Sequence, residues 1–205
     1  MNMKSYAILM VGVVGIITTY PARAEFSVVS GSANANQWLQ SVGTYTALTF
    51  TEFPDLPGST RITEQYAPLG VHFVDTDGNW IARNDLYPQD GSGLAGWVSV
   101  DLRFDSPMRA FAAYYPGYSA FSFYSGSQLI FSKTNLYTGG YNIFAGFTSN
   151  VSFDRVLLYG EPPNHYGEPD PVYYDNFYFS TVPAPSGALL LIAAPFGAAR
   201  RRAKR

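Results

Sequence analysis

The feature that most constrains the fold is an uninterrupted alternation of side chains between Trp97 and Phe104. Two sets of residues alternate here: an apolar set, Val98, Val100, Leu102 and Phe104, and a second set, Trp97, Ser99, Asp101 and Arg103. A period of two places successive side chains on opposite faces of an extended chain. The segment is therefore predicted to be a half-buried antiparallel strand.

Similar short runs recur along the chain, separated by turn signals such as Asp77-Gly78 and Ser125-Gly126. They lie at Ala47–Phe53, Gly70–Val74, Arg109–Tyr115, Ala120–Tyr124, Gln128–Ser132, Val151–Tyr159 and Val172–Ser180. Residues 25–181 show no convincing helical period, and the 16 Tyr and 15 Phe favour strands. A chain of 205 residues can bury one core. The prediction is an all-β, two-sheet antiparallel sandwich, with a jelly roll as its expected form.

The central part of the chain is strongly acidic. All 15 acidic residues lie between Glu25 and Asp175, which also holds six basic residues, so this stretch carries a net charge of −9. Such a surface repels phosphate backbones, which argues against nucleic acid as a partner. The chain has no cysteine, and this excludes disulfides and thiolate metal sites.

The N-terminus has the three parts of a secretory signal peptide. A basic start ending at Lys4 precedes an apolar segment from Tyr6 to Thr19, and the small residues Ala22 and Ala24 follow with one residue between them. The apolar segment is shorter than the roughly 20 residues that a membrane span requires. We therefore predict a signal helix within residues 1–24 that signal peptidase removes after Ala24.

The C-terminus also has three parts in a fixed order. A proline motif is followed by an apolar run over residues 187–199, and then by a basic cluster; these parts contain Val182, Pro183, Ala184, Pro185, Arg200, Arg201, Arg202, Lys204 and Arg205. The apolar run is short for a membrane span and contains Pro195. The basic cluster would hold this end on the cytoplasmic side. The pattern predicts a short apolar helix with transient inner-membrane association, and a permanent short anchor is the alternative.

This tail resembles the PEP-CTERM sorting signals of Gram-negative bacteria. The resemblance covers residues 182–205 and depends on the order of the three parts at the C-terminus. Ala184 stands where the family usually has glutamate between the two prolines. The resemblance implies that an exosortase-like protease cuts near the proline motif and passes the protein to the cell surface or the exopolysaccharide matrix.

The region between the two ends is predicted to be one domain over residues 25–181, followed by the sorting tail. Three phrases, residues 48–58, 62–73 and 174–179, are similar to the opening and closing strands of β-sandwich domains found in sorted bacterial surface proteins. The resemblance implies the domain type and leaves its ligand open. Related sandwiches serve as lectin-like modules, adhesins and scaffold parts.

Three acidic residues suggest a structural calcium site. Glu52 and Asp55 lie in the first strand phrase and Asp175 lies in the last, and these phrases are neighbours in many sandwiches. Calcium prefers several carboxylate and carbonyl oxygens as ligands. The alternative is that Asp175 accepts backbone hydrogen bonds. The stretch from Asp75 to Asn79 fails the EF-hand pattern, because Trp80 occupies the position that requires glycine.

Two groups of aromatic residues suggest carbohydrate binding, since sugars stack their apolar faces on exposed rings. The first group is the predicted ligand site and comprises Tyr114, Tyr115, Tyr118 and Tyr124. The second group comprises His165, Tyr166, Tyr173 and Tyr174. The alternative is that these rings pack within the sheets, because tyrosine suits a half-buried strand.

The sequence gives little support for catalysis. His72 and His165 are its only histidines, and neither lies in a recognisable nucleophile motif. We therefore expect a non-enzymatic exported surface or matrix protein whose most concrete role is carbohydrate binding. A hydrolase of extracellular polysaccharide with paired carboxylates, and a purely structural surface component, are the alternatives.

Overall fold

The structure is a computed structural model that describes residues 24–52, 60–74, 79–80, 92–96, 98–134, 136, 142–160 and 172–181. Within these ranges the chain forms one α-helix and ten strands. In chain order they are β1 Phe26–Ser30, α1 Ala35–Val42, β2 Thr46–Leu48, β3 Val71–Val74, β4 Asn79–Trp80, β5 Leu94–Gly96, β6 Ser99–Tyr115, β7 Ala120–Ser125, β8 Gln128–Lys133, β9 Ile143–Tyr159 and β10 Val172–Ser180.

Two long strands organise the fold. β6 and β9 each contain 17 residues and pair antiparallel along their whole length, with register shifts between Arg103 and Ala110. On one side of the shifts, β6 pairs with β3 and β9 pairs with β7, which continues to β8. On the other side, β6 pairs with β10 and β9 pairs with β1, while β2 and β5 extend β10. The long strands therefore belong to two parts of one continuous antiparallel sheet.

The two parts pack face to face as layers. The first layer contains β3, β7, β8 and residues 99–104 and 154–159; the second contains β1, β2, β10 and residues 108–115 and 143–150. Aromatic rings join them, with Phe26 stacked 4.3 Å from Phe131 and Phe111 lying 6.3 Å from Phe123. The predicted all-β antiparallel sandwich is confirmed.

The alternation that opens β6 holds only in part. Val100, Leu102 and Phe104 are buried in the core between the layers, as predicted. Val98 is instead 45% exposed, because β6 begins only at Ser99. Asp101 lies on the polar side of the alternation and is nevertheless buried. The reason for that burial is an ion pair described below.

The expectation of no helix in this part of the chain is wrong. α1 buries Ala35, Trp38 and Val42, and this i, i+3, i+7 spacing is one face of a helix. The face covers the outer side of the second layer, where Trp38 packs 5.6 Å from Phe144. Three apolar positions in an eight-residue helix make a weak periodic signal, which the polar residues between them obscure.

The predicted strand bounds agree best with the observed ones where a strand ends at a tight turn. β10 has the predicted bounds, and Gly126, with φ of 58°, forms the predicted turn between β7 and β8. β2 is shorter than its predicted run, because Phe50 adopts a φ of 60° that ends the extended conformation. β1 and the first half of β9 were not predicted, since neither shows a clean period of two.

The two predicted processing regions fall almost wholly outside the described residues. This holds for Ala22, for the proline motif and for the basic cluster, while Ala24 begins the described part. The described part contains no helix long and apolar enough to cross a membrane.

Candidate functional site

The outer face of the first layer carries a line of polar and aromatic side chains across four strands. The register places His72 of β3 opposite Arg103 of β6, Arg103 opposite Arg155 of β9, and Arg155 opposite Tyr124 of β7. Directly opposed residues of antiparallel strands lie on the same face. We call His72, Arg103, Arg155 and Tyr124 the cross-strand row.

Arg155 is held rigidly within this row. Its Nε and one terminal nitrogen donate to the two carboxylate oxygens of Asp101 at 2.8 and 2.7 Å. Its guanidinium also lies 4.8 Å from the centre of the Tyr124 ring. The hydrogen bonds to Asp101 raise the pKa of Arg155. A two-pronged bond to a carboxylate and stacking on an aromatic ring together fix the guanidinium plane.

His72 is bound from both sides by carboxylates. Its Nε2 lies 2.9 Å from Asp105 Oδ1 and its Nδ1 lies 2.6 Å from Glu64 Oε2. Both hydrogen bonds raise the pKa of His72, and the bond with Asp105 contributes more to the rise than the bond with Glu64. The imidazole is partly exposed, as expected for the outer face, and both of its nitrogens are engaged.

A pH titration should show this arrangement. The folded state raises the pKa of His72 above the unfolded value of about 6.5, so its stabilisation is complete below that value and is lost as the pH rises through the folded pKa. We expect the melting temperature to fall as the pH rises above about 6.5, and His72→Gln to reduce the fall. Asp105→Asn should reduce it too. An equal fall in all three proteins would contradict the arrangement.

Arg103 occupies the middle of the row and differs from its neighbours. Its side chain is exposed and makes no hydrogen bond or ion pair with any described residue. Beside it opens a groove of about 390 Å³, which is lined by Arg103, Phe104, Gly126, Ser127, Asp154 and Arg155. The groove lies where β6 inserts more residues than β9 between Arg103 and Met108, so that the two strands separate.

The four tyrosines predicted to bind a ligand do not lie together. Tyr114 and Tyr115 point to opposite faces of β6: Tyr114 packs 5.2 Å from Phe144 beneath α1, and Tyr115 donates from its hydroxyl to the Leu136 carbonyl at 3.0 Å. Burial raises the pKa of both phenols. Tyr118 is half-buried in the turn after β6, and Tyr124 belongs to the cross-strand row. Tyr114 and Tyr115 thus serve packing.

The second aromatic group is only partly described. His165 and Tyr166 lie outside the described residues, and Tyr173 is half-buried. Tyr174 is a core residue whose hydroxyl donates to the Tyr159 carbonyl at 3.1 Å and lies 2.7 Å from Ser119 Oγ. Tyr159 itself is exposed and shares a face with Arg155, so it extends the aromatic surface beside the row. Sequence reasoning missed it because the fold, not the spacing, brings it near Tyr124.

The predicted calcium ligands have protein partners where they are described. Glu52 accepts hydrogen bonds from the Thr49 backbone at 2.7 Å and from the Tyr66 hydroxyl at 3.3 Å. Asp175 is buried and accepts a bond from the Asn176 backbone at 2.8 Å. Asp55 lies outside the described residues. In the described ranges no group of three or more histidine or carboxylate side chains is arranged so that it could hold a metal ion, and calcium stays a prediction.

A second groove, of about 500 Å³, lies between β1 and α1 and is lined mainly by uncharged polar residues. Trp38 forms part of its wall but is only 3% exposed, so its ring face is not available for stacking. The cross-strand row offers charged donors and the half-buried ring of Tyr124, and the exposed Tyr159 lies beyond it on the same face. It is therefore the better candidate site.

The chain is similar to two solved mutants of CBM29-2, a family 29 carbohydrate-binding module. Each has 13% sequence identity and covers 70% of this chain, with 96% and 94% of the modules covered and TM-scores of 0.38 and 0.37. No protein-family model and no curated protein matches the chain.

Proposed function

We propose that this protein is an exported, non-enzymatic surface protein that binds carbohydrate through the cross-strand row. The observation that carries the proposal is the rigid arrangement of Tyr124, Arg155 and Asp101 on an outer sheet face, with Tyr159 beside it. The partner is expected to be exopolysaccharide.

The arrangement suits a sugar because it combines ring surface with fixed donors. Tyr124 and Tyr159 provide aromatic surface for the apolar face of a pyranose ring. Arg155 is already ordered by Asp101, so binding would cost it little side-chain entropy. An ordered guanidinium beside an aromatic ring can donate to hydroxyl oxygens while the ring is covered.

The contacts of His72 support a binding role over a catalytic one. A histidine base must have a nitrogen free to accept a proton from a nucleophile or from water. Both nitrogens of His72 are instead engaged by Glu64 and Asp105. Among the described residues, no serine or threonine hydroxyl contacts this imidazole, so nucleophile activation has no support there.

Export is supported by the signal pattern, and the hydrogen bonds of Glu25 are compatible with cleavage directly before it. The Glu25 backbone nitrogen donates to Asn150 Oδ1 at 2.9 Å, and the Asn150 nitrogen donates to the Glu25 carbonyl at 3.2 Å. Cleavage after Ala24 would leave Glu25 as the first residue and keep both bonds. The proline motif and basic cluster then support transfer to the surface by an exosortase-like protease.

The test is saccharide binding by the exported protein. We expect calorimetry with neutral and acidic oligosaccharides to detect binding, and Tyr124→Ala to weaken it about tenfold or more, because one ring face is lost. Tyr45→Ala is the matched control, since Tyr45 is 40% exposed and packs against Tyr178 of the second layer. Its affinity should equal that of the wild type.

The same preparation, purified from the native host, distinguishes the alternatives. Its intact mass should match a chain that begins at Glu25 and lacks the basic cluster. Release of shortened sugars would favour the hydrolase, and absence of both binding and turnover would favour a structural component. A protein that keeps Arg205 and remains in the inner membrane would favour the permanent anchor.

A further inference from the structure

The charges of the cross-strand row are unevenly balanced. At one end His72 has two carboxylates, Glu64 and Asp105. On the other side Arg155 has both oxygens of Asp101. Arg103 lies between these two groups and has no ionic partner among the described residues.

The position of Arg103 makes this imbalance costly. It lies directly opposite Arg155, and like charges opposed across two strands destabilise a sheet. Asp101 cannot neutralise both arginines, because its two carboxylate oxygens already accept hydrogen bonds from Arg155. His72 on the other neighbouring strand adds no net positive charge, because Glu64 and Asp105 flank it. An external anion at Arg103 would relieve this repulsion.

The groove beside Arg103 gives an anion access to it. The groove volume of about 390 Å³ can admit part of a sugar unit, and Arg103 and Arg155 both line it. Asp154 also lines the groove, but both of its carboxylate oxygens accept from the Gly126 backbone nitrogen, at 2.9 and 3.0 Å. Its negative charge is thus partly satisfied by the turn between β7 and β8.

We propose that Arg103 binds the carboxylate of a uronic acid unit. The ligand class is a saccharide with isolated uronic acid units, because the net charge of −9 between Glu25 and Asp175 repels a chain that is acidic throughout. The inference rests on the proposed function, because the rest of the saccharide contacts Tyr124. Arg103 and Tyr124 lie two strand spacings apart, about 10 Å. The acidic unit and the stacked unit are therefore different sugars of one chain. A planar carboxylate matches the guanidinium fork with two parallel hydrogen bonds.

The test compares acidic oligosaccharides with their carboxyl-reduced forms, which have the same linkages without the charge. The probes are oligosaccharides of neutral sugars that carry one galacturonate, glucuronate, mannuronate or guluronate unit, measured by calorimetry with the protein purified from the native host. We expect at least one acidic oligomer to bind more tightly than its reduced form, and rising salt to weaken only the acidic one.

Arg103→Gln should weaken binding of that acidic oligomer about ten- to hundredfold, the range for a lost hydrogen bond to a charged group. It should leave the reduced form unaffected. Arg103→Lys should fall between the two, because it keeps the charge and loses the fork. Arg109→Gln is the matched control on the same strand, since Arg109 donates to the Asn150 carbonyl at 3.1 Å in the second layer. Arg103 is exposed, so its replacement should not impair folding.

The outcomes separate this inference from the proposed function. Equal binding of acidic and reduced forms, or unchanged affinity in Arg103→Gln, would overturn the assignment of Arg103 and leave saccharide binding intact. If sulfated oligomers bind in a way that depends on Arg103 and uronates do not bind, the assignment of a carboxylate as the ligand of Arg103 would be wrong. Failure of every oligomer to bind would overturn both proposals together.

Discussion

Replacing Gly146 with alanine is expected to lower the free energy of unfolding by about 1 to 3 kcal/mol, the range for overpacking a tight interior contact. A Cβ at this position would lie 2.6 Å from Trp38 Nε1 and 2.7 Å from two carbons of the same indole. Trp38 is 3% exposed, so its ring cannot move aside without shifting α1. A loss of stability would be informative, because replacing glycine by alanine in a strand interior normally raises the free energy of unfolding.

The control for this variant is a smaller residue at position 38. Trp38→Leu removes the ring that the new Cβ would meet, and in that background Gly146→Ala should be neutral or stabilising. Urea denaturation of the four proteins measures the coupling between the two positions. If Gly146→Ala costs the same in both backgrounds, contact with Trp38 is not the reason for glycine at this position.

This contact shows why α1 escaped sequence reasoning while the strands did not. A strand of the first layer shows its buried face by a period of two, as Val100, Leu102 and Phe104 do. α1 is instead stabilised by one large ring lying on one glycine, 108 residues away in the chain. Neither residue alone carries a signal, because a glycine in a strand and a tryptophan in a short polar segment are each common.

The candidate site was predictable only in part, for a related reason. Sequence reasoning proposed Tyr124 as a ligand contact and found no nucleophile motif around His72. It grouped Tyr124 with Tyr114 and Tyr115 because they are close in sequence, whereas the fold directs those two rings into packing. Cross-strand neighbours depend on register, which short alternating runs do not fix. Arg103 and Arg155 therefore became candidates only once β6 and β9 were seen to pair.

The bend in the sheet connects the fold to the site. The two long strands pass from one layer to the other, and their register shifts begin at Arg103 and Arg155. Pro107 lies in the same stretch and has no backbone donor for the ladder, which favours a break in pairing there. The groove is thus a consequence of the way this sandwich folds back on itself. Its two arginines, Arg103 and Arg155, are the last paired residues before the break.

Removing Arg155 is expected to have the largest effect on stability of any single change at the site. Asp101 is 1% exposed, and Arg155→Met would leave its carboxylate buried without that partner, at a cost of about 3 to 5 kcal/mol. Asp101→Asn should cost less, because the Arg155 side chain is 26% exposed and its guanidinium can still reach water. The double variant Asp101→Leu with Arg155→Met should recover most of the loss, since no buried charge remains. Urea denaturation of the four proteins measures this, and a cost below about 1 kcal/mol for Arg155→Met would show that Asp101 does not depend on Arg155 for its burial.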